Sequence, residues 1–220
     1  MPYPMSHFYI AEYLLGTEKI EIKDIPQFYL GTLAPDAVHF RKGYSRIQKM
    51  TSHLYISLNK RDTDEFVDNW KNNVKNFYFE NNSKEIYEFL LGYCVHIMAD
   101  IYAYKNIWMP FKLTFGEEQE RIYERDMLQI DLELFQKGGY RTRVFPKLSE
   151  SREFDFLELL KKNDLVGLKY NILNIQYNNL PITNTSANTF ISYDEMQAHH
   201  TAMIEYIINE FIEIVKIDTF

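Results

Sequence analysis

His96 and Asp100 lie four residues apart inside the apolar run FLLGYCVHIMADIYAY. On a helix this spacing places both side chains on one face, one turn apart. Burying a polar side chain without a partner costs about 2–7 kcal/mol, so each of the two needs one. The pair therefore indicates either a His–Asp hydrogen bond within the core or a metal ion held by both. Gly92, one turn before His96, would let another segment approach this face closely.

Other residues of the same chemical types lie in comparable settings. The chain has six histidines, of which His7 follows Ser6 in MSHFYIA and His53 lies in the similar stretch TSHLYIS. Asp36 closes LGTLAPD, and His39 either joins it in a site or is an exposed loop residue. Zinc prefers imidazole nitrogen and carboxylate oxygen, and a catalytic zinc keeps one position open for water. Three histidines and two aspartates could supply one or two such sites.

The elements that must position these residues are predicted to be helices. Apolar residues recur at helical spacing, and no strand-like alternation persists. The sequences Asn82-Ser83-Lys84-Glu85 and Ser192-Tyr193-Asp194-Glu195 both resemble capping boxes. We predict one all-α domain, a helical bundle spanning residues 1–220. The main predicted helices are Ser6 to Gly16, residues 63–78, a long helix from Ser83, residues 117–135 ending at Gly138-Gly139, and Ser192 to Lys216; a loop is predicted at residues 178–190.

Composition narrows the function classes. The formal net charge is −7, and no basic stripe overrides it, so a nucleic-acid partner is not expected. The single cysteine, Cys94, cannot form an internal disulfide, which fits a reducing compartment. The N-terminal stretch lacks the basic region of a signal peptide, and no stretch has the length of a transmembrane helix. We expect a cytoplasmic protein, and the sequence indicates no oligomeric state.

Four of these stretches resemble the zinc-dependent phospholipase C family, which is related to the zinc-dependent single-strand nucleases. The resemblance lies in the ordered series SHFYIA, LGTLAPD, SHLYIS and LLGYCVHIMAD, across about half of the chain. In that family these places carry a His, an Asp, a His and an HxxxD pair, all of them metal ligands in an all-α fold. Carried over to this sequence, the resemblance implies metal ligands at His7, Asp36, His53, His96 and Asp100.

The chain also departs from the family pattern. The family has a further histidine about six residues after the HxxxD aspartate, where this chain has Asn106. A later HxxxE pair is also missing, because no histidine occurs between residues 97 and 198. The corresponding helix offers the weaker candidates Glu120 and Glu124, although carboxylates on such a helix more often form a solvated face. We therefore expect one or two zinc ions rather than three, with Mn²⁺ or Mg²⁺ favoured if a further carboxylate joins.

The resemblance implies metal-assisted hydrolysis of a phosphate ester. His53, His96 and Asp100 would hold one ion, and Asp100 would bridge to a second ion held by His7. Asp36 would be a ligand or the catalytic base that orients the attacking water. The substrate would be a small-molecule or lipid phosphoester. Two alternatives stay open: a hydrolase of another bond, and a non-enzymatic helical protein that binds a metal or a partner through a degenerate site.

Overall fold

The computed structural model describes residues 3–55, 63–178 and 190–216. These residues are mostly helical, with turns and short irregular segments between the helices, one isolated bridge between Phe156 and Leu160 and no strand. The prediction of an all-α protein is therefore confirmed. The helices are α1 (Pro4–Leu15), α2 (Ile25–Gly31), α3 (Arg46–Ser52), α4 (Asp64–Asn81), α5 (Tyr87–Ala103), α6 (Met109–Phe115), α7 (Glu120–Gly138), α8 (Tyr140–Glu150), α9 (Lys162–Asn171), α10 (Tyr193–Ile207) and α11 (Glu213–Val215). A 3₁₀ helix covers Ala34–Phe40, and π-helical turns follow α5, α9 and α10.

Helix α5 forms the centre of the molecule. It is apolar on all sides, and from Phe89 to Ala103 every residue but Tyr102 is buried. A helix that is hydrophobic all round is covered by neighbours on every side. Here the neighbours are α2, α4 and α10. His96 and Asp100 therefore lie in the core, as their apolar surroundings predict.

Two glycines allow α2 and α5 to cross at close range. A Cβ on Gly92 would collide with the Phe28 carbonyl, and one on Gly31 would collide with the Phe89 carbonyl. The close approach predicted at Gly92 is thus confirmed, and α2 is the segment that approaches. Helix α2 ends at this crossing, and the carbonyl of Thr32, directly after it, accepts a hydrogen bond from the His96 ring on α5.

Local signals predicted some helix ends better than others. The Ser192 hydroxyl caps α10 by accepting from the Glu195 N–H, and the Glu195 carboxylate accepts from the Ser192 N–H, as the capping box predicts. The start predicted at Ser83 was wrong, because the Ser83 carbonyl accepts from the Ile86 N–H in a turn and α5 begins only at Tyr87. Helices α8 and α9 were not among the predicted ones. The predicted loop at residues 178–190 lies, apart from its two ends, outside the described residues.

Helix α1 is anchored by a side chain from α7. The backbone N–H of Met5, in the first turn of α1, donates to the Asp131 carboxylate at 2.8 Å. The Tyr177 hydroxyl donates to the other oxygen of the same carboxylate at 2.6 Å. The first N–H groups of a helix have no partner within it, so a buried carboxylate at this place fixes the helix start. Within the described ranges, none of the helices combines the length and the apolar composition that crossing a bilayer requires.

Candidate metal centre

The two ring nitrogens of His96 have different partners. Its Nδ1 lies 2.9 Å from the carbonyl of Thr32, the residue that ends α2. A carbonyl can only accept, so Nδ1 carries the proton and Nε2 is left with a lone pair. This Nε2 lies 3.7 Å from Oδ2 of Asp100. A ring held through one nitrogen by a backbone carbonyl is the usual arrangement of a metal-binding histidine.

His53 is oriented in the same way at the end of α3. Its Nδ1 donates to the Lys49 carbonyl at 3.0 Å and also lies 3.0 Å from the Ser52 hydroxyl. Its Nε2 lies 3.4 Å from Oδ1 of Asp36 and 3.4 Å from Oδ2 of Asp100. The free nitrogen of His53 therefore faces the same carboxylate as that of His96.

The turn that carries His53 is held by buried side chains of α4 and α5. Leu54 has φ +58°, which a non-glycine residue adopts only where its surroundings impose it. The indole N–H of Trp70 donates to the His53 carbonyl at 2.6 Å, and the Tyr93 hydroxyl donates to the Ser52 carbonyl. The position of His53 thus depends on packing far from it in sequence.

His7 and Asp36 complete the cluster from two other elements. The His7 ring, on α1, stacks on the His96 ring with centroids 3.8 Å apart, and its Nε2 lies 3.9 Å from Oδ1 of Asp100. Asp36, in the 3₁₀ helix, places Oδ2 3.9 Å from His96 Nε2. The side chain of Asp36 is 34% exposed, whereas those of the three histidines and Asp100 are at most 2% exposed. The cluster is therefore enclosed except on the side of Asp36.

The cluster contains buried polar atoms that make no hydrogen bond within the described residues. Such atoms cost free energy unless something else satisfies them. Two groups of side chains could each hold a metal ion, because within each group the ligand atoms lie within 4.8 Å of one another. One group is His7, His96 and Asp100, and the other is Asp36, His53 and His96. Neutral imidazoles beside carboxylates are a donor set that fits a zinc-type ion. The unsatisfied atoms are both ring nitrogens of His7, Nε2 of His53, Nε2 of His96, Oδ1 of Asp36 and both oxygens of Asp100.

The pKa shifts of the clustered residues also fit a metal site. Burial lowers the pKa of His7, His53 and His96, which keeps the rings neutral and their lone pairs available. Burial also raises the pKa of Asp100 to about 6. Burial would also raise the pKa of Asp36. The Lys49 ammonium and the neighbouring histidine rings outweigh burial and hold the pKa of Asp36 well below its usual value. Asp36 is thus the ionised carboxylate at the entrance.

Three other candidates lie outside this cluster. Glu120 and Glu124 are exposed on α7 and belong to neither set of ligand atoms. Asn106 is exposed, and its amide donates to the Tyr102 carbonyl at 2.9 Å. The additional family ligands therefore have no counterpart in the cluster. His39 does reach it, because its Nε2 lies 3.5 Å from Oδ1 of Asp36 on the exposed side.

Sequence reasoning missed one charged residue of the site. The ammonium group of Lys49 lies 3.4 Å from Oδ1 of Asp36 and 3.4 Å from Nε2 of His39. A signal was available, since Lys49 lies four residues before His53 and hence on the same face of α3. The entrance of the cluster therefore combines a carboxylate with a cation.

A helical fold whose buried centre is built from histidines and aspartates of four elements defines a class of metal-dependent protein. Residues 6–103 match the family model of zinc dependent phospholipase C. The match covers a little under half of the chain and contains all five clustered residues, so over this part the chain is similar to the zinc-dependent phospholipase C family. No curated protein and no solved structure matches the chain.

Proposed function

We propose that this protein is a metal-dependent phosphoesterase, a phospholipase C-like hydrolase. The observation that carries the proposal is the convergence of five side chains whose buried donor atoms lack partners, at a site open on one side. The family supports a metal-dependent hydrolase, and the phosphate-ester substrate is our inference. We treat residues 1–220 as one cytoplasmic domain, in which α7 contributes by packing on α1.

The two oxygens of Asp100 face different histidines. Its Oδ2 faces His53 and His96, whereas its Oδ1 faces His7. In this proposal His53, His96 and Asp100 would hold one ion, and His7 and Asp100 would hold a second. When bound, such ions supply an acidified water and charge neutralisation at the phosphoryl oxygens. The two Nδ1 hydrogen bonds of His53 and His96 keep their rings in the orientation that binding needs.

Asp36 is the residue that we expect to act on the attacking water. It is the partly exposed carboxylate of the cluster, so it meets both the buried ligands and the incoming substrate. Because its pKa is held low, Asp36 remains ionised and accepts a hydrogen bond that orients the water. Nε2 of His39 lies 3.5 Å from the same carboxylate on the exposed side.

One observation favours the alternative of a non-enzymatic metal-binding protein. Asn106 is exposed and bonded to its own helix, so one family ligand position is lost. A structural zinc site, however, is closed by four protein ligands, whereas a catalytic site keeps an open position. The exposure of Asp36 therefore favours the hydrolase.

The test measures metal content and hydrolysis together. The purified protein is loaded with zinc, and bound metal is counted by inductively coupled plasma mass spectrometry. We expect about two equivalents, and hydrolysis of bis-p-nitrophenyl phosphate that is lost with chelator. His96→Ala should lose the metal, whereas the control His199→Ala, on α10, should keep it. A protein that binds no zinc, or that hydrolyses the substrate equally well in excess chelator, would refute the proposal.

A further inference from the structure

The stretch of sequence that follows Asp36 is unusually basic for this chain. Residues 37–61 contain no Asp or Glu, although the chain has 31 acidic residues and a net charge of −7. The structure describes this segment as far as Tyr55. Its cations are Arg41, Lys42, Arg46, Lys49, Lys60 and Arg61.

The described cations of this segment have different surroundings. Arg41 is committed to the fold, because its guanidinium pairs with the buried carboxylate of Asp164. Lys42 and Arg46 are exposed, and within the described residues no carboxylate pairs with them. Lys49 turns inward and reaches the entrance of the metal centre. Arg46 lies one turn before Lys49 on α3 and hence on the same face of that helix. We define Arg46 and Lys49 as the basic rim of the entrance.

Lys49 is held loosely enough to take another anion. Its ammonium lies 3.4 Å from Asp36, whereas charge-assisted N–H···O bonds are typically about 2.7–2.9 Å. An ammonium has three donors, and the other close contact is the His39 ring at 3.4 Å. The Lys49 side chain is only 24% exposed, so its field is less screened than that of a fully solvated lysine. These features suit a cation that meets a phosphate oxygen.

We propose that the basic rim selects phosphoesters of net negative charge over those with a cationic headgroup. The proposal rests on the proposed function, since it specifies which substrates reach the same centre. Lys49 contacts a non-bridging oxygen of the phosphate, while Arg46 raises the local positive potential that attracts the anion. A quaternary ammonium headgroup meets like charges on this side and is disfavoured.

The kinetic test compares two short-chain lipids below their micelle concentration. Dihexanoylphosphatidylglycerol carries a net negative charge, whereas dihexanoylphosphatidylcholine is zwitterionic. We expect the wild type to have the higher kcat/KM on the glycerol lipid. Lys49→Met should lower kcat/KM on both lipids about ten- to a hundredfold, chiefly through KM, because both carry the phosphate that Lys49 contacts. Lys49→Arg should restore most of the loss, because it restores the charge. Arg46→Met should lower kcat/KM on the glycerol lipid about two- to fivefold and should not lower it on the choline lipid.

Controls separate charge recognition from damage to the site. Lys147→Met, an exposed lysine on α8, removes a charge elsewhere and should behave as the wild type. Bound zinc should be equal in all variants. A wild type that prefers the choline lipid would overturn the proposal, and so would an Arg46→Met variant that keeps the wild-type preference at full zinc content. For Lys49→Met, a parallel loss on bis-p-nitrophenyl phosphate would identify the phosphate itself as the recognised group, and a loss confined to the lipids would identify the lipid headgroup.

A binding measurement distinguishes failure of this proposal from failure of the proposed function. Inorganic phosphate is titrated into the zinc-loaded proteins by isothermal calorimetry. If the wild type hydrolyses no phosphoester, the proposed function fails, but weaker phosphate binding by Lys49→Met than by Lys147→Met still supports an anion site at the rim. Equal phosphate affinity in the wild type and both variants overturns the proposed anion site at the rim.

Discussion

Asp131 gives this protein a pH dependence that can be isolated from the metal centre. The carboxylate is buried between α1 and Tyr177, where it accepts hydrogen bonds from the Met5 N–H and the Tyr177 hydroxyl. Burial opposes its ionisation more strongly than these bonds favour it, and it raises the pKa of Asp131 to about 7. An aspartate in an unfolded chain has a pKa of about 3.9.

The sign and size of the effect follow from these two values. Between about pH 4 and pH 7 the folded chain holds a proton on Asp131 that the unfolded chain has lost. The free energy of unfolding therefore falls as the pH rises through this window. A difference of about 3 pKa units corresponds to about 4 kcal/mol, at about 1.36 kcal/mol per unit. Asp131→Asn, which cannot ionise, should lack this contribution.

The assay is urea denaturation of the metal-free wild type and of Asp131→Asn from pH 4.5 to pH 8. Burial also lowers the pKa of His200, to about 4, and buried histidines of this kind make the free energy of unfolding rise with pH. Their contribution is the same in the wild type and in Asp131→Asn, so it cancels when the two proteins are compared. We expect the stability of the wild type relative to the variant to fall by about 3 kcal/mol across this range, because the range begins above the pKa of the unfolded chain. A difference that is constant with pH would refute the reasoning, since it would mean that Asp131 is already ionised in the folded chain at pH 4.5.

Three further substitutions test the site and the core. Gly92→Ala should destabilise the fold by about 1–3 kcal/mol in urea denaturation, because the new Cβ meets the Phe28 carbonyl; unchanged stability would contradict the close crossing of α2 and α5. Asp100→Asn should lower bound zinc while the far-ultraviolet circular dichroism stays the same, and undiminished zinc would exclude Asp100 as a ligand. Asn106→His should leave zinc stoichiometry unchanged, because residue 106 is exposed and its side chain bonds to its own helix; an additional equivalent would show that this turn does reach the centre.

The sequence by itself determined that the central helix forms, that it is buried and that one of its faces carries polar side chains. The apolar run around His96 and Asp100 predicts a buried helix with two polar groups on one face, and α5 has that form. Gly92 predicts close contact with another segment because a missing side chain is visible in the sequence. These features depend on helical periodicity and residue size, which act over one or two turns. The helix start at Ser83 was predicted wrongly since a capping pattern also forms in a turn outside a helix.

Only the tertiary structure decided which of the polar residues meet and which atoms they present. His7, Asp36, His53 and His96 come from four elements, and the irregular spacing between them carries no information about distance. Whether a histidine offers Nε2 depends on which carbonyl its Nδ1 reaches, and for His96 that carbonyl belongs to α2. The exposure of Glu120 and Glu124 and the position of Lys49 at the entrance were decided in the same way. Such contacts join residues far apart in the chain, so they arise from the packing of whole helices and not from local pattern.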